Sequence, residues 1–427
     1  PNYPIPMRIL SVFGTRPEAV KMAPVVQELK RTPGVESFVC VTAQHREMLD
    51  QVLTLFEIKP DVDLDLMRAD QSLAELSASI FRGLDPVLVA LKPDWVLVQG
   101  DTTTVAITSL LSYYRRIRVG HVEAGLRTHD KWQPFPEEIN RRVAGVAADL
   151  HFAPTEWARQ NLLREGVPDS AIALTGNPVI DALQVVAKQP QPESVAQLLA
   201  KLEIHACRYE EPRSGDEAIP KGDAISARAG IAHLHRTCGA PQVQVSLPPV
   251  SRNDTRKRLI LVTAHRRENF GQPLENICAA LKELAERGDV EIVYPVHLNP
   301  NVQEPVKRLL GNVQHVTLLP PLDYLPMVHL IKQSALVLTD SGGIQEEAPT
   351  FGIPVLVLRE VTERPEGVKA GVLKLVGTDS RLIVRAANRL LDNAGAYAKM
   401  AKAVNPFGDG QAAGRIVKAV LNFRPTL

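Results

Sequence analysis

The feature that most constrains this chain is a recurring pair: a short, continuously apolar run, then a polar loop that opens a helix. Residues 335–339 (ALVLT) stop at Asp340-Ser341-Gly342-Gly343, and a short helix is expected over 344–348, until Pro349 interferes. Met7–Phe13 stops at Gly14-Thr15-Arg16-Pro17-Glu18, Trp95–Gln99 at Gly100-Asp101-Thr102, and Arg118–Val122 at Glu123-Ala124-Gly125. Residues 259–263 lead to Ala264-His265-Arg266-Arg267, and 290–296 lead to His297. A run apolar on both faces suits a parallel strand covered on both sides. Such strands alternating with helices specify a doubly wound α/β architecture. Ligands bind such sheets at the carboxyl ends of the strands, so the loops just named are expected to share rims.

The loop after residue 339 predicts anion binding. A strand, a glycine turn and a helix start place free N–H groups and the positive end of a helix dipole together. Adjacent glycines remove the Cβ atoms that keep a phosphate at a distance. Glu346 and Glu347 follow about 5–8 Å along the axis at ~1.5 Å per residue, within reach of a ribose whose hydroxyls a carboxylate accepts. The alternative is a buried helix start capped by Asp340 or Ser341. Thr15 and Glu18 fit a capping box, with Pro17 in the first helical turn. Asp101 reads as an N-cap as readily as a catalytic group, and Glu137-Glu138 as the acidic first turn of a helix.

A chain of 427 residues is too long for one core and suggests two or three domains. A net charge of +1 gives no reason to expect nucleic-acid or membrane-surface binding, so an anion site must be local. The four cysteines form no CxxC pair, no apolar run approaches a membrane span, and the expected compartment is the cytoplasm. The first Rossmann-like domain is expected over 1–176. The second spans 177–409, and a helix at about 410–427 packs back on the first. Residues 203–256 lose the pattern and are rich in Pro, Gly and Ser, an irregular insertion in the second domain. His205, Cys207, His233, His235 and Cys238 within it are zinc-ligand types at spacings unlike those of structural fingers.

From about residue 7 to 190, and from about 258 to the C-terminus, the chain resembles the non-hydrolysing UDP-N-acetylglucosamine 2-epimerases. The resemblance rests on GTRPEAVKMAPV (14–25), TAQHREMLDQVL (42–53), VQGDTTT (98–104), GHVEAGLRT (120–128), FPEEINRR (135–142), HRRENFG (265–271), YPVHLNPNV (294–302) and TDSGGIQEEAPTFGIPVLVLREVTERPE (339–366). It implies a GT-B fold, two Rossmann-like domains facing across a cleft, and a homodimer. The implied reaction is reversible interconversion of UDP-N-acetylglucosamine and UDP-N-acetylmannosamine, with no nicotinamide and no required metal. The implied route is anti-elimination of UDP to 2-acetamidoglucal, then re-addition with protonation from the opposite face. By position, the resemblance implies Asp101, Glu123 and Glu137 as acid/base groups and His265 at the diphosphate. It places Arg16 and Lys21 toward the nucleotide sugar, Ser341, Gly342 and Gly343 on phosphate, and Glu347 on ribose, with Arg364 and Arg141 completing the set.

The chemistry accounts for these residue types. Carbon 2 of an acetamido sugar carries a hydrogen of almost no acidity, so inversion needs positioned carboxylates and firm anion binding for the departing diphosphate. A retaining glycosyltransferase of the same fold would need an acceptor groove and has no evident use for three carboxylates on one rim. A hydrolysing epimerase would release free sugar and UDP, and a silent nucleotide-sugar sensor would turn nothing over.

Overall fold

The computed structural model describes residues 6–42, 46–66, 68, 71–204 and 257–424. The residues considered for zinc, from His205 to Cys238, lie outside them.

The first domain holds strands β1 Met7–Phe13, β2 Val35–Val41, β3 Val62–Asp63, β4 Trp95–Gln99, β5 Arg118–Val122, β6 Leu150–Ala153 and β7 Ile172–Leu174. They form a parallel sheet in the order β3-β2-β1-β4-β5-β6-β7. The second domain holds β8 Arg258–Thr263, β9 Val290–Pro295, β10 Val316–Leu319, β11 Leu336–Thr339, β12 Val355–Val357 and β13 Leu373–Leu375, in the order β10-β9-β8-β11-β12-β13. Both orders reverse once, between β1 and β4 in one sheet and between β8 and β11 in the other. That reversal opens a crevice at the strand ends. The fold is the expected GT-B arrangement.

The apolar runs explain the layers. In β1, Ile9 and Phe13 point into one buried cluster while Leu10 and Val12 point into another; in β4, Trp95 and Leu97 divide from Val96 and Val98 in the same way. In β8, Leu259 and Leu261 join the cluster that holds Ile9, and Ile260 and Val262 face away from it. One apolar cluster therefore runs through both domains. It is joined by Val179, Ile180 and Leu183 of the helix Pro178–Ala187. Burying each such side chain contributes about 1.5–3 kcal/mol.

Helix Arg16–Arg31 starts with the predicted capping box: Thr15 accepts from the Glu18 N–H, and the Glu18 carboxylate accepts from the Gly14 and Thr15 N–H groups at 2.9 and 2.7 Å. After β11 the helix spans Gly342–Glu347, two residues earlier than expected, and Pro349 falls in a 3-10 turn, Ala348–Phe351. The glycines are thus the helix's own first turn, and proline is tolerated because the ladder has already tightened.

The chain leaves the first sheet through Thr175-Gly176-Asn177 and returns through Asn405 to Gly408, before helix Ala412–Asn422 packs on Arg16–Arg31. The two crossings touch: the Asn177 N–H donates to the Phe407 carbonyl at 2.7 Å. At Gly176, whose φ is +82°, an added Cβ would lie 3.3 Å from Gly408 Cα. Among the described residues, no helix is long and apolar enough to cross a membrane. Ile204 and Lys257 pair, with the Lys257 N–H donating to the Glu203 carbonyl at 3.0 Å, so the ends that flank 205–256 lie side by side.

Candidate active site

A cavity of about 600 Å³ lies between the two sets of strand ends. The loops after β1, β4 and β5 form one rim, and those after β8 and β11 the other. All twelve residues that the resemblance implies for the site line it: Arg16, Lys21, Asp101, Glu123, Glu137 and Arg141 from the first domain, His265, Ser341, Gly342, Gly343, Glu347 and Arg364 from the second.

On the first rim each carboxylate is held differently. Asp101 does not cap the following helix, because Thr102 does, accepting from the Val105 N–H. Asp101 instead accepts on Oδ2 from Arg141 Nε at 2.9 Å and Nη2 at 2.6 Å. Arg141 in turn donates to the buried Glu138 at 2.9 Å, so the guanidinium stays charged and fixed. Glu137 begins the helix Glu137–Ala147, and its buried Oε2 has no hydrogen-bond partner among the described residues. Glu123 follows β5 in a left-handed conformation, φ 63°, which a side chain of this kind adopts only when its surroundings impose it. Its carboxylate accepts from Lys21 Nζ and Gln99 Nε2, and from Asn177 Nδ2 at 3.3 Å.

The Lys21 contact spans 102 residues and places a side chain that carries no local signal. Lys21 sits on the first helix, and burial alone would strip its charge, yet Glu123 and Glu346 hold its pKa above the ordinary lysine value. Arg16 lines the cavity, and its Nη1 donates to the Leu322 carbonyl at 3.2 Å, tying the first rim to the loop after β10.

The second rim gathers a helix start, Arg364 and His265. Gly342 and Gly343 open the helix, and Gly342 leaves room for Arg364: an added Cβ would lie 2.8 Å from Arg364 Nη1. Arg364 is buried and donates from Nε to Glu346 at 2.5 Å, with Nη2 3.9 Å from Glu123. Although burial opposes its charge, Glu346, Glu363 and Glu123 keep it protonated. His265 stacks on His297, ring centroids 5.3 Å apart. Burial lowers its pKa, Asp340 opposes that and Arg266 adds to it, so the imidazole is neutral near neutral pH. Glu347 accepts from the Tyr324 hydroxyl at 3.3 Å, and burial, reinforced by Glu346, pushes its pKa up to about 7. Asp340, read from sequence as a possible cap, is fully buried and makes no cap bond. Its Oδ2 accepts from the His265 and Arg266 N–H groups and from Asn269, all within 2.8–2.9 Å.

Residues 27–207 and 231–421 match the sequence model of the family described as UDP-N-acetylglucosamine 2-epimerase. The chain belongs to this family. It is 51% identical over 422 residues to the Salmonella typhimurium protein named UDP-N-acetylglucosamine 2-epimerase, covering 99% of this chain and 100% of that one. A crystal structure of UDP-GlcNAc 2-epimerase from Neisseria meningitidis bound to UDP-GlcNAc superposes with a TM-score of 0.80 at 44% identity, over 98% of this chain and 100% of that chain. The Methanocaldococcus jannaschii UDP-GlcNAc 2-epimerase in complex with UDP-GlcNAc and UDP gives 0.74 at 28%, over 98% and 100%.

For this 2-epimerase family member, sequence reasoning missed the residues that support the rims. Gln99, Asn177, Tyr324 and the inward role of Asp340 are absent from it, and Glu346, expected near a ribose, is instead bound by Asn177 and Arg364. Asn177-Pro178 carries the local signal of a helix start, and it is one, with Oδ1 accepting from the Val179 N–H at 3.1 Å. Nothing local announces its second task.

Proposed function

We propose that this protein performs its family's interconversion of UDP-N-acetylglucosamine and UDP-N-acetylmannosamine by elimination and re-addition of UDP in this cavity. The observation that carries the reading is the opposition of the rims: Asp101, Glu123 and Glu137 on one side, the Gly342-Gly343 helix start with Arg364 and His265 on the other. A sugar between them has carboxylates at carbon 2 and an anion cradle at its diphosphate.

In the forward direction a carboxylate takes the proton from carbon 2, the electron pair forms the C1=C2 bond, and the anomeric C–O bond breaks, its pair leaving with UDP. In the return, UDP oxygen re-forms the bond to carbon 1 and a second carboxyl delivers a proton to the other face of carbon 2. Glu137 suits one of these roles because a buried, unpartnered carboxylate oxygen is an open acceptor. Asp101 suits the other: Arg141 engages its Oδ2. The departing diphosphate is met by helix N–H groups, Arg364 and neutral His265, which donates without competing for the proton.

Turnover in deuterium oxide is expected to place deuterium at carbon 2 of the product, and oxygen-18 in the anomeric bridge is expected to scramble into non-bridging phosphate positions. Complete retention of the original hydrogen during net epimerisation overturns the mechanism. The reading takes 1–176 and 177–409 as the two domains, with the last helix returned to the first. It also takes the protein as a cytoplasmic homodimer, consistent with the exposed Tyr113, Tyr114, Ile139 and Val146 on neighbouring helices of the first domain. Light scattering at twice the 46.8 kDa chain mass is the expected result, and a monomer at micromolar concentration counts against it.

A further inference from the structure

The two rims are joined at a point that the mechanism above does not use. Asn177 is 1% exposed and stands where the chain first crosses between the domains. Its backbone N–H is bound by Phe407 of the returning crossing. Its side-chain oxygen is committed to the Val179 N–H, which turns the amide nitrogen toward two carboxylates. One is Glu123 of the first rim at 3.3 Å, and the other is Glu346 of the second at 2.5 Å. Both are buried, and they come from opposite sheets.

Two buried carboxylates on either side of one amide repel each other, so the arrangement needs counter-charge. Lys21 supplies it at Glu123, and Arg364 supplies it at Glu346. Arg364 is also the side chain packed under Gly342, and Nη2 reaches toward Glu123. The returning crossing grips the same helix, because Asn405 donates to the Glu346 carbonyl at 3.4 Å and to Thr350 at 3.0 Å. An unbroken chain of contacts therefore runs from Lys21 through Glu123, Asn177, Glu346 and Arg364 to the phosphate turn. An asparagine needed only as a helix cap has no reason to bridge two carboxylates.

We propose that Asn177, together with Glu346, is a positioning residue for the epimerisation: it sets the distance between Glu123 and the phosphate turn by holding one carboxylate from each domain. This rests on the function proposed above. The sugar is short and the proton must be exchanged while the diphosphate is held, so an error of about 1 Å in that spacing costs on the order of a hundredfold in rate. Neither residue touches the reacting atoms. Both act through Glu123 and Arg364, and the expected signature is a loss in kcat with little change in UDP binding.

The test uses the full chain and three variants, with proton NMR of UDP-N-acetylglucosamine turnover and calorimetric UDP binding. Asn177→Asp keeps the capping oxygen and removes the donor, so it separates the cap from the bridge. Its kcat is expected to fall roughly 10- to 100-fold while the UDP Kd stays within about threefold. The new carboxyl meets Glu123 and Glu346, with Lys21 paired to the first, Arg364 to the second, and Glu363 beyond Arg364. Protonation of the new carboxyl restores a donor, so the variant-to-wild-type rate ratio is expected to rise about tenfold from pH 9 to pH 6. Asn177→Ala is expected to lose rate with a flat ratio across the same range, and Glu346→Gln to lower kcat with UDP binding retained. The inference is overturned if Asn177→Asp turns over at the wild-type rate. It is also overturned if rate, UDP binding and melting temperature fall in proportion with no change of pH profile, which marks a purely structural cap. Failure of the wild-type protein to epimerise the substrate sinks the function itself, and that result is distinct from either outcome.

Discussion

The two halves of the cleft share one topology and use it in opposite ways. Each sheet reverses once, and each places an acid just past its fourth strand in local order: Asp101 after β4, Asp340 after β11. In the first domain that acid stays in the cavity, 28% exposed at its side chain and steered by Arg141. In the second it turns inward, fully buried, and spends one oxygen on the N–H groups of His265 and Arg266. One rim is thereby left with carboxylates facing the cavity. The other presents amides, a guanidinium and a neutral imidazole beside Glu347. In the mechanism proposed above, the same strand-end position serves proton chemistry on one side and anion binding on the other, and the direction in which one short side chain points makes the difference.

The comparison is broken most directly by exchanging the losses. Asp101→Asn and Glu137→Gln are expected to cut kcat by about 10²–10⁴-fold with UDP affinity nearly intact, as for groups that move protons. Gly342→Ala is expected to do the reverse in kind and less in size. Its new Cβ meets the Arg364 guanidinium, so UDP binding weakens about tenfold or more while the carboxylate rim is untouched, a loss of ~1.4 kcal/mol per decade. Both are read by isothermal titration with UDP beside initial rates. If Asp101→Asn lost UDP binding as severely as Gly342→Ala, the division of labour between the rims would be wrong.

A smaller effect sharpens the electrostatic side. Within the second rim, Glu347 is pushed up to about 7 by burial and by Glu346, whereas Glu363 is held down at about 2. Burial alone would raise Glu363 too, but Arg364 and Arg359 outweigh it. The signs follow. Glu347 is protonated more readily folded than unfolded, so its contribution is full below its unfolded pKa of about 4.3 and is lost as pH rises through 7. Glu363 contributes above the ordinary carboxylate range, and its share is lost as pH falls toward 2. Unfolding free energies of wild type and Glu347→Gln, measured by denaturant titration from pH 5 to pH 8, are expected to shift in the variant's favour as pH rises, by an amount on the order of 1–3 kcal/mol. A difference that is constant with pH contradicts the burial of that carboxylate.

The residues that the sequence made legible are those whose chemistry is local. The capping box of Thr15 and Glu18 needs only four consecutive residues, and it is present. Strands covered on both faces show as unbroken apolar runs because no polar atom is tolerated on either side, and β1, β4 and β5 fall where those runs do. The rim positions followed from topology once the strands were placed, and the matching motifs added the individual roles. What was not legible is the support. Asp101 looks like a cap until Thr102, one residue later, is seen to do that work. Asn177 looks like a cap, is one, and is a bridge as well.

By itself, then, the sequence determined the alternation of elements, the parallel sheets, the strand ends that hold the site and the family to which the chain belongs. Apolar periodicity, glycine turns and caps act over a few residues, and they decide local conformation before any distant partner arrives. Only the tertiary structure decided which charge meets which. Arg141 finds Asp101 across 40 residues, Asp340 finds the His265 N–H across 75, and Asn177 finds Glu346 across 169. A buried carboxylate is stable only where donors converge on it, and that convergence exists only after two sheets have stacked their strand ends against each other.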